Sequence, residues 1–214
     1  MGVILSIVAP DSSMPKKREI SPALNASADE YVSLLPPPLQ GLISRIRAQK
    51  DSDSRTRPSA SLIDKSAMLT PGKRAALLDK VAELVDENVG GRSDMCLQFA
   101  GLLNLALRHL GFNSFAVTGT GTYYNGKGKR VHTWHHAWVR VGRELIDGNT
   151  DSIAENPMVP TGVSAAPYWG PIQDIPAQRL LEQDGFQVDE DPDVMGVWWP
   201  DLKDWLEKDF TGID

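Results

Sequence analysis

Residues 93–112, SDMCLQFAGLLNLALRHLGF, constrain the fold more than any other stretch, because Phe99, Leu102, Leu103, Ala106, Leu107 and Leu110 recur at intervals of three and four. That spacing predicts a helix with one broad apolar face, which needs a second layer to cover it. Ser93 or Asp94 suits its N-cap and Gly111 its end. The preceding TPGKRAALLDKVAELVDENVGG predicts another helix: Thr70 caps it, Pro71 takes the first position, and Leu77, Leu78, Val81, Leu84 and Val85 form the stripe before Gly90-Gly91.

Past Gly111 the apolar period changes from that of a helix to that of a strand. SFAVTGTGTYY alternates small and β-branched residues around Gly119 and Gly121, and HHAWVRVGRELIDGN alternates apolar with polar about a Gly142-Arg143 turn. At least three antiparallel strands are expected, with YNGKGKRVH as a hairpin loop. Helices followed by a run of antiparallel strands make an α+β domain over residues 67–214.

The flanks carry weaker signals. Residues 1–66 are rich in Ser, Pro and charge, so they read as a partly disordered arm, with one short helix at LQGLISRIRAQ where Leu39, Leu42, Ile43 and Ile46 are helically spaced. Beyond Asn149 no period is strong until WWPDLKDWLEKDF, which predicts a short helix after Pro200 with Leu202, Trp205 and Leu206 inward. Residues 182–214 hold eleven acidic side chains against two lysines, a solvated acidic face.

A formal net charge of −6 gives no basic footprint for nucleic acid. The single cysteine rules out an internal disulfide, so a cytoplasmic setting is the default, with a secreted effector lacking a cleavable signal peptide as the alternative. The apolar run Val3–Ala9 has no positive segment before it, and no stretch approaches the length of a transmembrane segment. The start Met-Gly-x-x-x-Ser would permit N-myristoylation at Gly2.

The lone thiol, Cys96, falls in the first turn of the 93–112 helix, where free N–H groups and the helix dipole favour a thiolate and can help hold an oxyanion. A thiolate nucleophile requires a base, and the base a group to orient it. His136, Trp138 and Arg140 share one face of a strand, and a tight turn at Gly142-Arg143 brings Asp147 beside His136. Asp151 offers a second carboxylate nearby. His132, His135 and His136 crowd together, but His135 and His136 point to opposite faces and no cysteine pair or HExxH spacing completes a metal site, so no metal or cofactor is expected.

CLQFAGLLNLALRHLGFNSFAVTG, then HHAWV, then LIDGN resembles the core of the transglutaminase-like superfamily, a circularly rearranged relative of the papain-like cysteine proteases. The resemblance covers about residues 93–151 and implies Cys96 as nucleophile, His136 as base and acid, and Asp147 as orienter. It places Phe99, Ala100, Arg108, Gly111, Val117 and Gly119 at structural positions. Where many members follow the aspartate with Pro and Thr, this chain has Gly148-Asn149-Thr150. Gln98 and Trp134 are candidate oxyanion donors, His135 a candidate cleft residue, and Trp138 a neighbour of the histidine. The expected function is cysteine-dependent acyl transfer on an amide or ester of a protein, peptide or small molecule. A peptidase, amidase or deamidase is favoured over a transglutaminase or acyltransferase. The alternative is a binding or scaffold module that keeps this fold without turnover.

Overall fold

A computed structural model describes residues 28–51, 58–87, 91–156, 158–160, 163, 166–186 and 191–214. Gly2 and the apolar run Val3–Ala9 lie outside the described residues. Six α-helices are described, α1 (Ala28–Leu34), α2 (Pro37–Asp51), α3 (Ala60–Ile63), α4 (Pro71–Asp86), α5 (Cys96–His109) and α6 (Trp199–Lys208). Five strands are described, β1 (Ser114–Tyr124), β2 (Arg130–Val141), β3 (Glu144–Asp147), β4 (Tyr168–Pro171) and β5 (Arg179–Phe186). They form one antiparallel sheet in the order β4-β3-β2-β1-β5, so the class is α+β.

Local chemistry accounts for the helices. Thr70 Oγ1 accepts from the Lys73 backbone N–H at 3.2 Å, Pro71 opens α4, and the helix stops at Asp86 before the glycines. Its stripe, with Phe99, Leu102, Leu103, Ala106 and Leu107 of α5, is buried against Ala116, Ala137, Val139, Val141, Ile146 and Trp169 of the sheet. Leu202, Leu206 and Phe210 close this core from the C-terminal side, while Trp205 is half-buried at its edge. On the other face of the sheet, Val117, Trp138, Leu145 and Tyr168 pack with Leu62 and Leu181. A third cluster joins Tyr123 and Ile153 to Trp134, Val131, Val159 and Val163.

Three expectations need correction. The helix carrying the thiol has Met95, not Ser93 or Asp94, at its N-cap position, with no side-chain cap, and Cys96 is its first residue. Asp94 takes a left-handed conformation, φ 61°, and its carboxylate accepts from Asn156 Nδ2 at 3.1 Å, so it is turned away from a capping role. The stretch after Asn149 is less irregular than its sequence: Thr150–Glu155 forms a 3-10 helix and β4 and β5 add one strand to each edge of the sheet. Among the described residues before 67, the helix expected at LQGLISRIRAQ is the middle one of three, and it is longer than expected; Ile43, Ile46 and Ile63 are buried.

Among the described residues, no helix is long and apolar enough to cross a membrane.

Candidate active site

Cys96 opens α5, and the N–H groups of that first turn have no acceptor within the helix. The thiol is 8% exposed and belongs to the apolar cluster built on α4 and α5. His136 comes from the middle of β2 and Asp147 from the end of β3, both fully buried. The register Val141↔Glu144 and Val139↔Ile146 carries the Asp147 carboxyl to the imidazole, and His136 Nε2 lies 2.8 Å from Asp147 Oδ1. The second ring nitrogen, Nδ1, completes no hydrogen bond of ordinary geometry among the described residues, and the Cys96 thiol lies beside the ring.

Electrostatics at this pair run against burial. Burial alone would depress the His136 pKa, but the charge and hydrogen bond of Asp147, reinforced by Cys96, lift it to about 9. Burial would likewise raise the Asp147 carboxyl, yet the charges of His136 and Arg179 hold it well below the usual carboxylate range. Arg179 Nη1 donates to Asp147 Oδ2 at 2.9 Å and Nη2 donates to the Ala166 carbonyl at 2.6 Å. Thr150 Oγ1 donates to the Asp147 carbonyl at 3.1 Å. The aspartate is therefore fixed on both carboxyl oxygens and at its backbone.

The two candidate carboxylates are separated by their partners. Asp151 accepts from both terminal nitrogens of the buried Arg92, in a cluster that also holds Asp86, Asn149 and Glu155. Asp147, not Asp151, meets the histidine. Gly148 also has a local cause: a Cβ there would lie 2.6 Å from Phe99 Cε1 and 2.7 Å from Leu78 Cδ2. Close packing of this backbone on α5 sets the distance between Asp147 and the helix that begins at Cys96.

The remaining sequence candidates divide. Trp134 stacks on His136, centroids 5.3 Å apart and planes 21° apart, and Trp138 packs on its other side at 6.0 Å. Gln98 is not brought into the group; its Nε2 donates to Asp191 Oδ2 at 2.9 Å. His135 is exposed on β2, on the opposite side from His136. Among the described residues, no group of three His, Cys, Asp or Glu side chains is arranged to hold a metal ion.

Two members of the site escape a reading of the sequence. Arg179 arrives from the far edge strand, out of a stretch with no apolar period. Tyr123 pairs with Arg179 across β1 and β5, and the Arg179 Cζ lies 5.9 Å from its ring centroid. One signal for Tyr123 was available, since it follows Gly119 and Gly121 at a spacing of two and so shares their face of β1.

No family model matches the chain, and no curated protein matches it. A solved structure described as "The crystal structure of genomics APC5867" is similar over 64% of this chain and 74% of its own, at 15% identity and a TM-score of 0.38.

Proposed function

We propose that this chain is a cysteine-dependent acyl-transfer enzyme with a papain/transglutaminase-like core, acting on an amide or ester carbonyl. In this mechanism His136 Nδ1 already holds the thiol proton when the Cys96 sulfur bonds to the carbonyl carbon and the carbonyl oxygen becomes an oxyanion. Collapse of that intermediate breaks the bond to the leaving group, which receives the proton from His136 and leaves an acyl thioester on Cys96. Water, deprotonated by His136, then releases the acid and restores the thiol. An amine in place of water gives transfer, and hydrolysis is favoured because no second substrate site stands out among the described residues.

One observation carries the reading: a fully buried imidazole, held at 2.8 Å by a carboxylate that is itself clamped, has its free nitrogen beside a thiol at a helix start. Core packing alone gives no reason to bury an imidazole and a carboxylate together beside a thiol, because each buried ion costs several kcal/mol of desolvation. The first-turn N–H groups of α5 add donors for the developing oxyanion.

The test is alkylation of Cys96 by iodoacetamide across pH 5–10, in the wild type and in His136→Ala, followed by intact mass. The reading expects rapid labelling at pH 6 that drops at least about tenfold in the variant. Equal, slow labelling of both proteins, appearing only on denaturation, would make Cys96 a structural thiol and favour a binding module.

A further inference from the structure

Beside the proposed triad lies a buried hydroxyl whose proton has no acceptor. Tyr123 is 1% exposed, and its O–H donates to no group among the described residues. Buried polar side chains are bonded in the large majority of cases, so a donor left open here needs a partner that arrives later. Trp138 Nε1 is also unbonded, but Trp138 belongs to the apolar cluster of Val117, Leu145 and Tyr168.

The position of Tyr123 identifies what that partner does. Its ring meets Trp134 edge to face at 6.3 Å, and Trp134 stacks on His136. From β5, Arg179 crosses the same ring on its way to Asp147. Gly121 keeps the space open, since a Cβ there would sit 3.2 Å from Trp134 Nε1 and 3.3 Å from His136 Cβ. Burial first, and then the charge of Asp147, push the Tyr123 pKa well above its usual value, with Cys96 adding to the rise. A phenol in that setting stays neutral and serves as a donor, not as a base.

We infer that Tyr123 is a catalytic residue of the proposed acyl transfer: its hydroxyl donates to the carbonyl oxygen of the substrate as Cys96 attacks. The inference rests on the acyl-transfer reading above. The hydrogen bond forms as the carbonyl π electrons move to oxygen, and it is released when the carbonyl reforms on loss of the leaving group. No proton is transferred by Tyr123. The Trp134 N–H lies against the Tyr123 oxygen and polarises the hydroxyl towards the substrate.

Two probes of one thiol separate this role from a structural one. Acylation by p-nitrophenyl acetate passes through an oxyanion, whereas alkylation by iodoacetamide displaces iodide and forms none. Tyr123→Phe keeps the ring and removes the donor. The expected result is a loss of about ten- to a hundredfold in the rate of Cys96 acylation, with alkylation within about twofold of wild type. Acylation unchanged in Tyr123→Phe, or both reactions slowed equally in a folded variant, would overturn the proposal. A wild type that alkylates but never acylates would overturn the acyl-transfer reading itself, and this proposal with it. Should Tyr123→Phe fail to fold, Trp134→Phe provides the second case: it removes the N–H behind the hydroxyl, and the same selective loss of acylation is expected at about three- to tenfold. Equal rates in Trp134→Phe and wild type would then count against the proposal.

Discussion

Asp147 is the residue on which the site depends, because it carries a cation on each oxygen, His136 on Oδ1 and Arg179 on Oδ2. Replacing Arg179 by Gln leaves that buried carboxylate with one charged partner, a change that typically costs about 3–5 kcal/mol when a buried pair is broken. The loss is readable by urea unfolding at pH 7. It also moves the acid limit. A depressed carboxylate contributes stability above its ordinary pKa of about 3.9, which is lost as pH falls through the folded value. With Arg179 gone that folded value rises, so acid unfolding followed by circular dichroism should begin at higher pH than in the wild type. Identical acid midpoints would show that Arg179 does not hold Asp147 ionised.

His136 works in the opposite direction. With a folded pKa of about 9 the native protein keeps a proton that the unfolded chain releases near pH 6.5. Over that window the native His136 binds more protons than the unfolded one, so its own contribution to stability falls as pH rises, by about 3 kcal/mol in all. His136→Gln removes the titrating group, and the slope of unfolding free energy between pH 6.5 and 9 should flatten. A slope equal to that of the wild type would mean the imidazole is neutral in the folded protein.

Elements differ in how plainly their sequence declares them. Helix α4 carries its cap, its proline and its stripe in one contiguous run, and α5 carries a stripe facing a single layer, so both follow from local chemistry. The hairpin β2–β3 is equally local, with Val141 and Glu144 flanking a two-residue turn, and it places His136 and Asp147 within one short segment. Strands β4 and β5 are hidden for physical reasons. The four residues Tyr168–Pro171 include Gly and Pro, and β5 is a polar edge strand whose Arg179 is buried for its charge and not for apolar area. The N-cap of α5 is not legible locally because the loop before it obeys a long-range constraint. Arg92 is pulled into the cluster with Asp86, Asp151 and Glu155, and the chain reaches Met95 through left-handed Gly91 and Asp94. Arg92→Met tests this account. It strips the guanidinium from among the buried Asp151 and Glu155, so a loss of about 3–5 kcal/mol is expected together with loosened placement of Cys96. Urea unfolding measures the first, and a changed iodoacetamide rate the second. A variant as stable as wild type would show that the cluster is not what anchors this loop.

At the scale of the whole molecule, the proposed site draws on α5, β1, β2, β3 and β5, and its outer members meet only when the sheet has assembled. The helices before residue 67 belong to the same packing problem. Ile63 is 2% exposed within the main core, beside Leu77 and Leu78. Helix α2 lies against the 3-10 helix Thr150–Glu155, which supplies both the Thr150 that fixes the Asp147 backbone and the Asp151 that holds Arg92. Buried Arg74 donates to the Ser66 carbonyl at 3.0 Å as well as to those of Met68 and Leu69. Deletion of residues 1–66 would therefore expose apolar core, remove one acceptor of a buried guanidinium, and uncover the segment that follows Asp147. Losing Ile63 alone costs about 2–5 kcal/mol by analogy with buried Ile-to-Ala changes. The expected outcome is a fall of at least several degrees in the thermal midpoint, slower alkylation of Cys96, and early tryptic cleavage within 67–92. An inhibitory arm would give the opposite pattern, an unchanged midpoint with faster alkylation. An unchanged midpoint with unchanged alkylation would mean that α2 and α3 support neither the core nor the site.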